Sequence, residues 1–540
     1  MVIFLGKPWR QWRLMAAIAL LFCSLGISGC QQLSVGSERS EHVSHRAHVL
    51  EFVPKQVLLA TVLDTTVKPG KTLQSTLSEA LPQAAASLLA PLAIDLNDNI
   101  RPWLGDQVAF AITDKDVDRD RRTGRQVGYL VVAETTDGDR LREFLELFWQ
   151  RQAIAGAQPD LLQASGVPII AGVVAGEGRP LATAVVGGRT LLIANDVRVL
   201  RQSLRVAQAP ALQLSGRDCC GAGWVHLRIP NFVDWLGLAT PSDIRLQSGP
   251  QWQELSATAA IHPKRVAIDT QLTARSGISV PETTALNPPD QQAVGNRPGQ
   301  YLPASVAWAA MGHDLRPLWN RVWDELGRYQ RLPPALSQQW LSTQLAQALS
   351  EPLLQLLAGD YAVGQLDDGT WLMAVRKATP AAVNQLDDIA EQKGLTVSRL
   401  ALEGQSVTAW SRLKTRMGAD TRNRDTTVET DIVWLHTTVG DCDVFATSIS
   451  GLTAALAAPE NPVSGTQRFQ RTVQAMDQPN QGYVYGTWVE LERLLESNRW
   501  FSLLRPVLQP WSQSIDAIAI TSYGQTVNQP TGSVSVLLKN

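Results

Sequence analysis

Apolar positions along the chain fall into helical and alternating patterns, and one ordered set of them occurs twice. Between Trp103 and Leu204 an apolar strand opens at Gly105-Asp106 and a second, Tyr129-Leu130-Val131-Val132, follows it. A helix is expected over Asp139 to Gln152, because Leu141, Phe144, Leu145 and Phe148 recur at helical spacing and form one stripe for a core. The block closes on strands that meet at Gly187-Gly188, running on to Ala194, and on a helix ending near Leu204. About 250 positions later the order returns, as a duplicated fold would produce. There Gly359-Asp360 opens a strand, Trp371 to Val375 is the next, and Pro380 to Gln392 is a helix. Val439-Gly440-Asp441-Cys442 continues to Ala446, and a helix ends near Leu456.

The flanks keep step with these blocks. Pro54 and Pro303 each precede an apolar strand, where a missing N–H costs little, and helical patterns follow over Leu73 to Ile94 and Leu315 to Leu357. Gly223 to Leu227 matches Gly482 to Gly486, and each leads to a short helix, Phe232 to Leu238 and Val489 to Leu495. Each copy ends in a hairpin, Ala257 to Ile261 with Ala267 to Leu272, and Ala517 to Thr521 with Ser533 to Leu538. Local hairpins imply antiparallel pairing. The expected fold is therefore α+β: two tandem diverged repeats, each a mainly antiparallel sheet with helices packed on one face. The domains are 53–275 and 302–540, joined by a Pro/Gly-rich linker over 276–301.

Ahead of them lie a signal segment, 1–29, and a polar tether, 30–52. Lys7, Arg10 and Arg13 precede the apolar run Leu14 to Leu25, and Ile27-Ser28-Gly29-Cys30 follows. That box resembles the lipobox of bacterial lipoproteins, which implies cleavage before Cys30 and its acylation. Export and anchoring of the chain to a membrane by lipid are the consequence, on the periplasmic or thylakoid-lumenal side. His42, His45 and His48 in the tether have no carboxylate or Cys to complete a metal set, so a solvated linker is expected there.

Composition narrows the partners. The 540 residues carry 48 Lys+Arg against 50 Asp+Glu, so no overall field attracts nucleic acid. Of the mature cysteines, Cys30 is assigned to lipid, and Cys219, Cys220 and Cys442 make neither a disulfide framework nor a zinc motif. Gly70-Lys71-Thr72 would end a phosphate loop only if Thr65 were glycine. Without a nucleophile elbow or zinc helix, no cofactor and no catalytic residue is assigned. A hydrolase would need His226 or His436 to meet a Ser and a carboxylate in space.

The copies differ in two loops. Where the second turns tightly through Asp367-Asp368-Gly369, the first extends, carrying Asp114, Asp116, Asp118 and Asp120 at alternate positions. These are candidate calcium ligands, although Arg119 and Arg125 occupy the glycine and bidentate-glutamate positions of an EF-hand. Arg119, Arg121 and Arg122 at this tip are candidates for docking a partner, with Arg416, Arg422 and Arg424 of a second excursion, 412–431, expected to be a solvated loop.

Pro102-Trp103-Leu104-Gly105-Asp106, Gly128-Tyr129-Leu130, Phe144-Leu145 and Phe148-Trp149, with the lipobox, resemble an uncharacterised cyanobacterial lipoprotein family whose domain has no assigned function. The resemblance implies an exported or thylakoid-lumenal place, with an envelope or thylakoid protein as partner, and brings no catalytic residues. The expected role is a non-enzymatic binding or scaffold module; alternatives are a carrier of lipid or pigment and an unrecognised hydrolase.

Overall fold

The computed structural model describes residues 47–66, 96–120, 122, 124–175, 178–214, 222–235, 252–262, 264–274, 297–314, 355–376, 380–402, 404–417, 426–474, 476, 480–496, 514–526 and 529–539. The helical patterns over 73–94 and 315–354 lie outside the described residues, as do 1–46 and most of the linker. The chain divides into two compact units, Met1–Ser279 with Leu538–Asn540, and Val280–Leu537.

In unit 1, β1 (Leu59–Asp64), β2 (Leu104–Asp114) and β3 (Gly128–Thr135) precede helix α1 (Gly138–Ile154). Next come β4 (Asp160–Ala164), β5 (Val167–Val174), β6 (Arg179–Val186), β7 (Thr190–Ala194) and α2 (Val197–Ala207). The unit continues with β8 (Gly223–Arg228), α3 (Ile229–Trp235), β9 (Trp252–His262) and β10 (Arg265–Ala274). Antiparallel pairings order the sheet β4-β5-β6-β7-β3-β2-β1-β8-β9-β10.

Unit 2 contains β11 (Val306–His313), β12 (Asp360–Leu366), β13 (Trp371–Arg376), α4 (Pro380–Gln392), β14 (Thr396–Leu402) and β15 (Gln405–Met417). It continues with β16 (Thr426–Val439), β17 (Cys442–Ala446), α5 (Ile449–Ala457), α6 (Gln467–Val473) and β18 (Gly482–Thr487). Last come α7 (Trp488–Glu496), β19 (Ile515–Thr526) and β20 (Gln529–Leu538). Its order is β14-β15-β16-β17-β13-β12-β11-β18-β19-β20. The fold is thus α+β with a mainly antiparallel sheet.

Central strands are apolar on both faces. In β3 every position from Gly128 to Ala133 is buried, and alternation divides the side chains between two cores. Tyr129, Val131 and Ala133 join Leu141, Leu145, Phe148 and Trp149 of α1. Leu130 and Val132 join Val199, Leu200 and Leu204 of α2, with Val49, Leu50 and Phe52 from a turn at His48–Phe52. In unit 2, Leu386 and Ala390 of α4 cover one face, and Leu452 of α5 with Phe469 of α6 cover the other. Helices therefore pack on both faces, which corrects the one-faced arrangement expected from the sequence. Strands buried on two sides read as continuous apolar runs, as Tyr129 to Ala133 does, and demand two covers.

Two further boundaries shift for a related reason. Residues 47–52, assigned to the tether, are drawn into the core by Val49, Leu50 and Phe52, and Ser203 Oγ of α2 donates to the Phe52 carbonyl at 2.8 Å. Residues 297–301, assigned to the linker, form a turn with Pro298 and Tyr301 buried. The excursion expected as a loop over 412–431 is largely strand: β15 and β16 pair as far as Met417 and Thr426, leaving 418–425 outside the described residues. Their register sets Arg412 opposite Asp431, an arrangement of opposite charges that favours pairing.

Turns and caps follow local chemistry. Gly187 and Gly188, at φ 60° and 69°, are the central residues of the turn that the Arg189 amide closes on the Val186 carbonyl between β6 and β7, and Gly369 at φ 87° closes the β12–β13 hairpin. The Asp137 carboxylate accepts from the Asp139 and Arg140 amides at the start of α1.

Leu130→Ala should cost about 2–5 kcal/mol in urea unfolding of unit 1, because Leu130 is fully buried between β3 and α2. Leu161→Ala, at a side chain 77% exposed on β4, should change stability by no more than about 0.5 kcal/mol.

Candidate functional site

A polar cluster lies within the core of unit 2 where α4 meets β15 and β16. Trp410 Nε1 donates to Asp387 Oδ1 at 2.7 Å, and His436 Nε2 donates to the same oxygen at 2.9 Å. The His436 ring stands edge-on to Trp410 at 5.8 Å and tilted to Phe445 at 5.3 Å. Burial pushes the Asp387 carboxyl up, but the hydrogen bonds from His436 and Trp410 outweigh it and hold the group below its ordinary value. Asp387 stays ionised, and charge-assisted bonds offset the cost of enclosing it.

Unit 1 solves the same place without charge. Thr183 lies opposite Ile193 as His436 lies opposite Phe445, and Thr183 Oγ1 accepts from Trp149 Nε1 at 2.9 Å. In one unit a helix tryptophan donates to a strand, and in the other a strand tryptophan donates to the helix.

Nucleophilic catalysis would require a hydroxyl or thiol on the imidazole beside the carboxylate. Among the described residues the His436 ring meets Asp387, Trp410 and Phe445 and no such group. His226 of β8 is 7% exposed and stacks on Trp224 at 5.7 Å, and its Nε2 is buried with no hydrogen-bond partner. Burial lowers its pKa, so the ring is held neutral. In unit 2, His313 Nδ1 meets Asp360 Oδ1 at 2.7 Å, and Arg376 approaches the other oxygen at 3.6 Å.

The aspartate hairpin spends its carboxylates on its own backbone. Asp114 Oδ1 accepts from the Asp116 amide, Asp118 Oδ1 from the Asp120 amide and Asp120 Oδ1 from the Arg122 amide. Asp116 Oδ1 reaches across to the Gln126 amide at 3.2 Å. The Arg122 guanidinium meets Asp120 at 3.0 Å and lowers its pKa, while Asp116 and Asp118 face Arg198 on α2. Among the described residues no three His, Cys, Asp or Glu side chains gather to hold a metal ion, these four included. Arg119 sits at the tip with φ 54°, a left-handed conformation uncommon outside glycine. Of the other docking candidates, Arg121, Arg422 and Arg424 lie outside the described residues, as does Cys30, and Arg416 is placed on β15 by its backbone.

A groove of about 290 Å³ runs beside α1 in unit 1. Trp103, Phe144 and Phe148 form its floor, with rings 5.6 and 6.3 Å apart in sequence, and Leu147, Arg140 and Arg151 stand on its wall. Trp103 is fixed by its Nε1 bond to the Asn99 carbonyl at 2.6 Å. In unit 2 the Cys442 thiol is free and buried, and burial with the neighbouring Asp441 pushes its pKa up to about 12.

Sequence reasoning selected His436 and missed Asp387 and Trp410. The available signal was a charged residue at a core-facing position, Asp387 beside Leu386 and Ala390 on the α4 stripe.

These features define a two-unit α+β protein with a mainly antiparallel sheet. The chain belongs to the family described as "Protein of unknown function (DUF3352)", which matches residues 14–539. No curated protein matches it. Solved structures similar to part of it are crystal forms III and I of TP0453, each at 8% identity and TM-score 0.25. They cover 42% of this chain and 80% and 79% of theirs, respectively.

His226 gives a pH test. A folded-state pKa below the unfolded value means that unfolding takes up a proton, so stability is lost as pH falls below about 6.5. The thermal midpoint of unit 1 should drop between pH 7.5 and 5, and His226→Phe should flatten that dependence.

Proposed function

We propose that the chain is an exported lipoprotein, anchored through acylated Cys30, that serves as a non-enzymatic binding or scaffold module. The observation that carries this reading is the engagement of His436. Its carboxylate partner and two aromatic rings enclose it, with no nucleophile beside it among the described residues. The shared strand order of the two units supports an origin by duplication, with repeats over 53–275 and 302–540 as the ancestral halves. The hairpin tip with Arg119 and Arg122, present in one unit only, is the docking surface we assign to an envelope or thylakoid partner.

A second reading, carriage of a lipid or pigment, is favoured by the aromatic floor of the α1 groove. Mass spectrometry of protein isolated under native conditions separates the two. A co-purifying apolar molecule supports carriage, and its absence supports the scaffold.

Cys30→Ala should move the protein from the membrane to the soluble fraction and remove its fatty acids. A variant that stays with membranes while carrying no lipid overturns the anchor. Crosslinked partners recovered with the wild type should be depleted several-fold by Arg119→Glu/Arg122→Glu, because a long-range charge is reversed at an exposed tip.

A further inference from the structure

Helix α4 is held differently from α1. Four large side chains of α1, Leu141, Leu145, Phe148 and Trp149, are buried, and aromatic contacts continue from Trp149 through Phe148 and Phe144 to Trp103. In α4 the fully buried side chains are Leu386 and Ala390, with Ala382 and Ile389 packed partly buried beside them and no aromatic among these four. Apolar burial scales with area, so this contact is the smaller. What α4 adds is Asp387, whose single oxygen Oδ1 receives one hydrogen bond from β15 and one from β16. Beneath the helix lie Met373, Val375, Trp410 and Phe445, all nearly or fully buried.

We propose that α4 is a lid latched by the Asp387 carboxylate, which opens independently of the rest of unit 2 and uncovers this aromatic face. The inference goes beyond the binding-module reading and does not depend on it. Local opening of a helix needs few apolar contacts and a bond whose loss leaves the remaining sheet intact. Here β15 and β16 stay paired through their own ladder when Asp387 leaves. The charged or titratable groups that face the carboxylate from the strands are His436 of β16 and Arg399 of β14. Both favour its ionised form, so the latch holds at neutral pH and is lost as acid protonates Asp387.

Hydrogen exchange resolved by peptide tests the lid at pH 7. Asp387→Ala should speed exchange in 380–392 by about tenfold or more, while 138–154 in α1 is unchanged. Alanine has the higher helix propensity, so faster exchange would report the lost latch and not a weaker helix. Asp387→Asn, which keeps an acceptor without charge, should restore part of the protection. The dye 1-anilinonaphthalene-8-sulfonate should bind the Ala variant and not the wild type. Unchanged exchange in 380–392, or an equal rise in α1, overturns the proposal. Should the Ala variant not fold, Trp410→Phe decides the matter, because it keeps a ring and removes one donor. A selective rise in 380–392 supports the latch, and none rejects it.

Discussion

A strand with apolar side chains on both sides has no face to give to water, and in each unit this condition falls on the middle of the sheet. Tyr129 and Val131 point one way from β3, Leu130 and Val132 the other, and each direction must be covered. Two layers of helix follow, one on either side, as does the capture of the short turns at His48–Phe52 and Arg297–Tyr301. Outward from the centre the demand relaxes. By β4 the burial pattern has become largely exposed, and that strand pairs on one side only among the described residues.

Dense packing of this kind leaves little room for polar groups unless they satisfy each other. The units meet that condition in two ways at one position of the sheet. Thr183 accepts a bond from Trp149 and carries no charge, whereas His436 shares Asp387 with Trp410. The second arrangement introduces ionisable groups to a core that the first shows can be built without them. It places a carboxylate and an imidazole beneath α4, where the matching contact beneath α1 is uncharged.

How much of this was legible depended on distance along the chain. Helical spacing located α1 and α4 to within two residues, and Asp367-Asp368-Gly369 declared its hairpin through the need for positive φ at Gly369. Those signals are local. The excursion over 412–431 was misread because charge and threonine content suggest solvent, while its strand character arises from the register between β15 and β16. The same holds for the candidate site. Asp387 meets Trp410 across 23 positions and His436 across 49, and no local pattern joins them. The aspartates of the β2–β3 hairpin read as candidate metal ligands by their spacing, and composition does not reveal that Asp114, Asp118 and Asp120 each accept from an amide two residues on.

Cys442 shows what such a core does to chemistry in time. Its sulfur is enclosed at the start of β17, where burial and Asp441 keep the proton on. A thiol so placed reacts slowly with oxidants or disulfides however strong the reagent, because the thiolate is scarce and access is closed. Its modification is then timed by how often unit 2 opens around β17. The sulfur is therefore sealed from redox chemistry for as long as β17 keeps its place in the sheet.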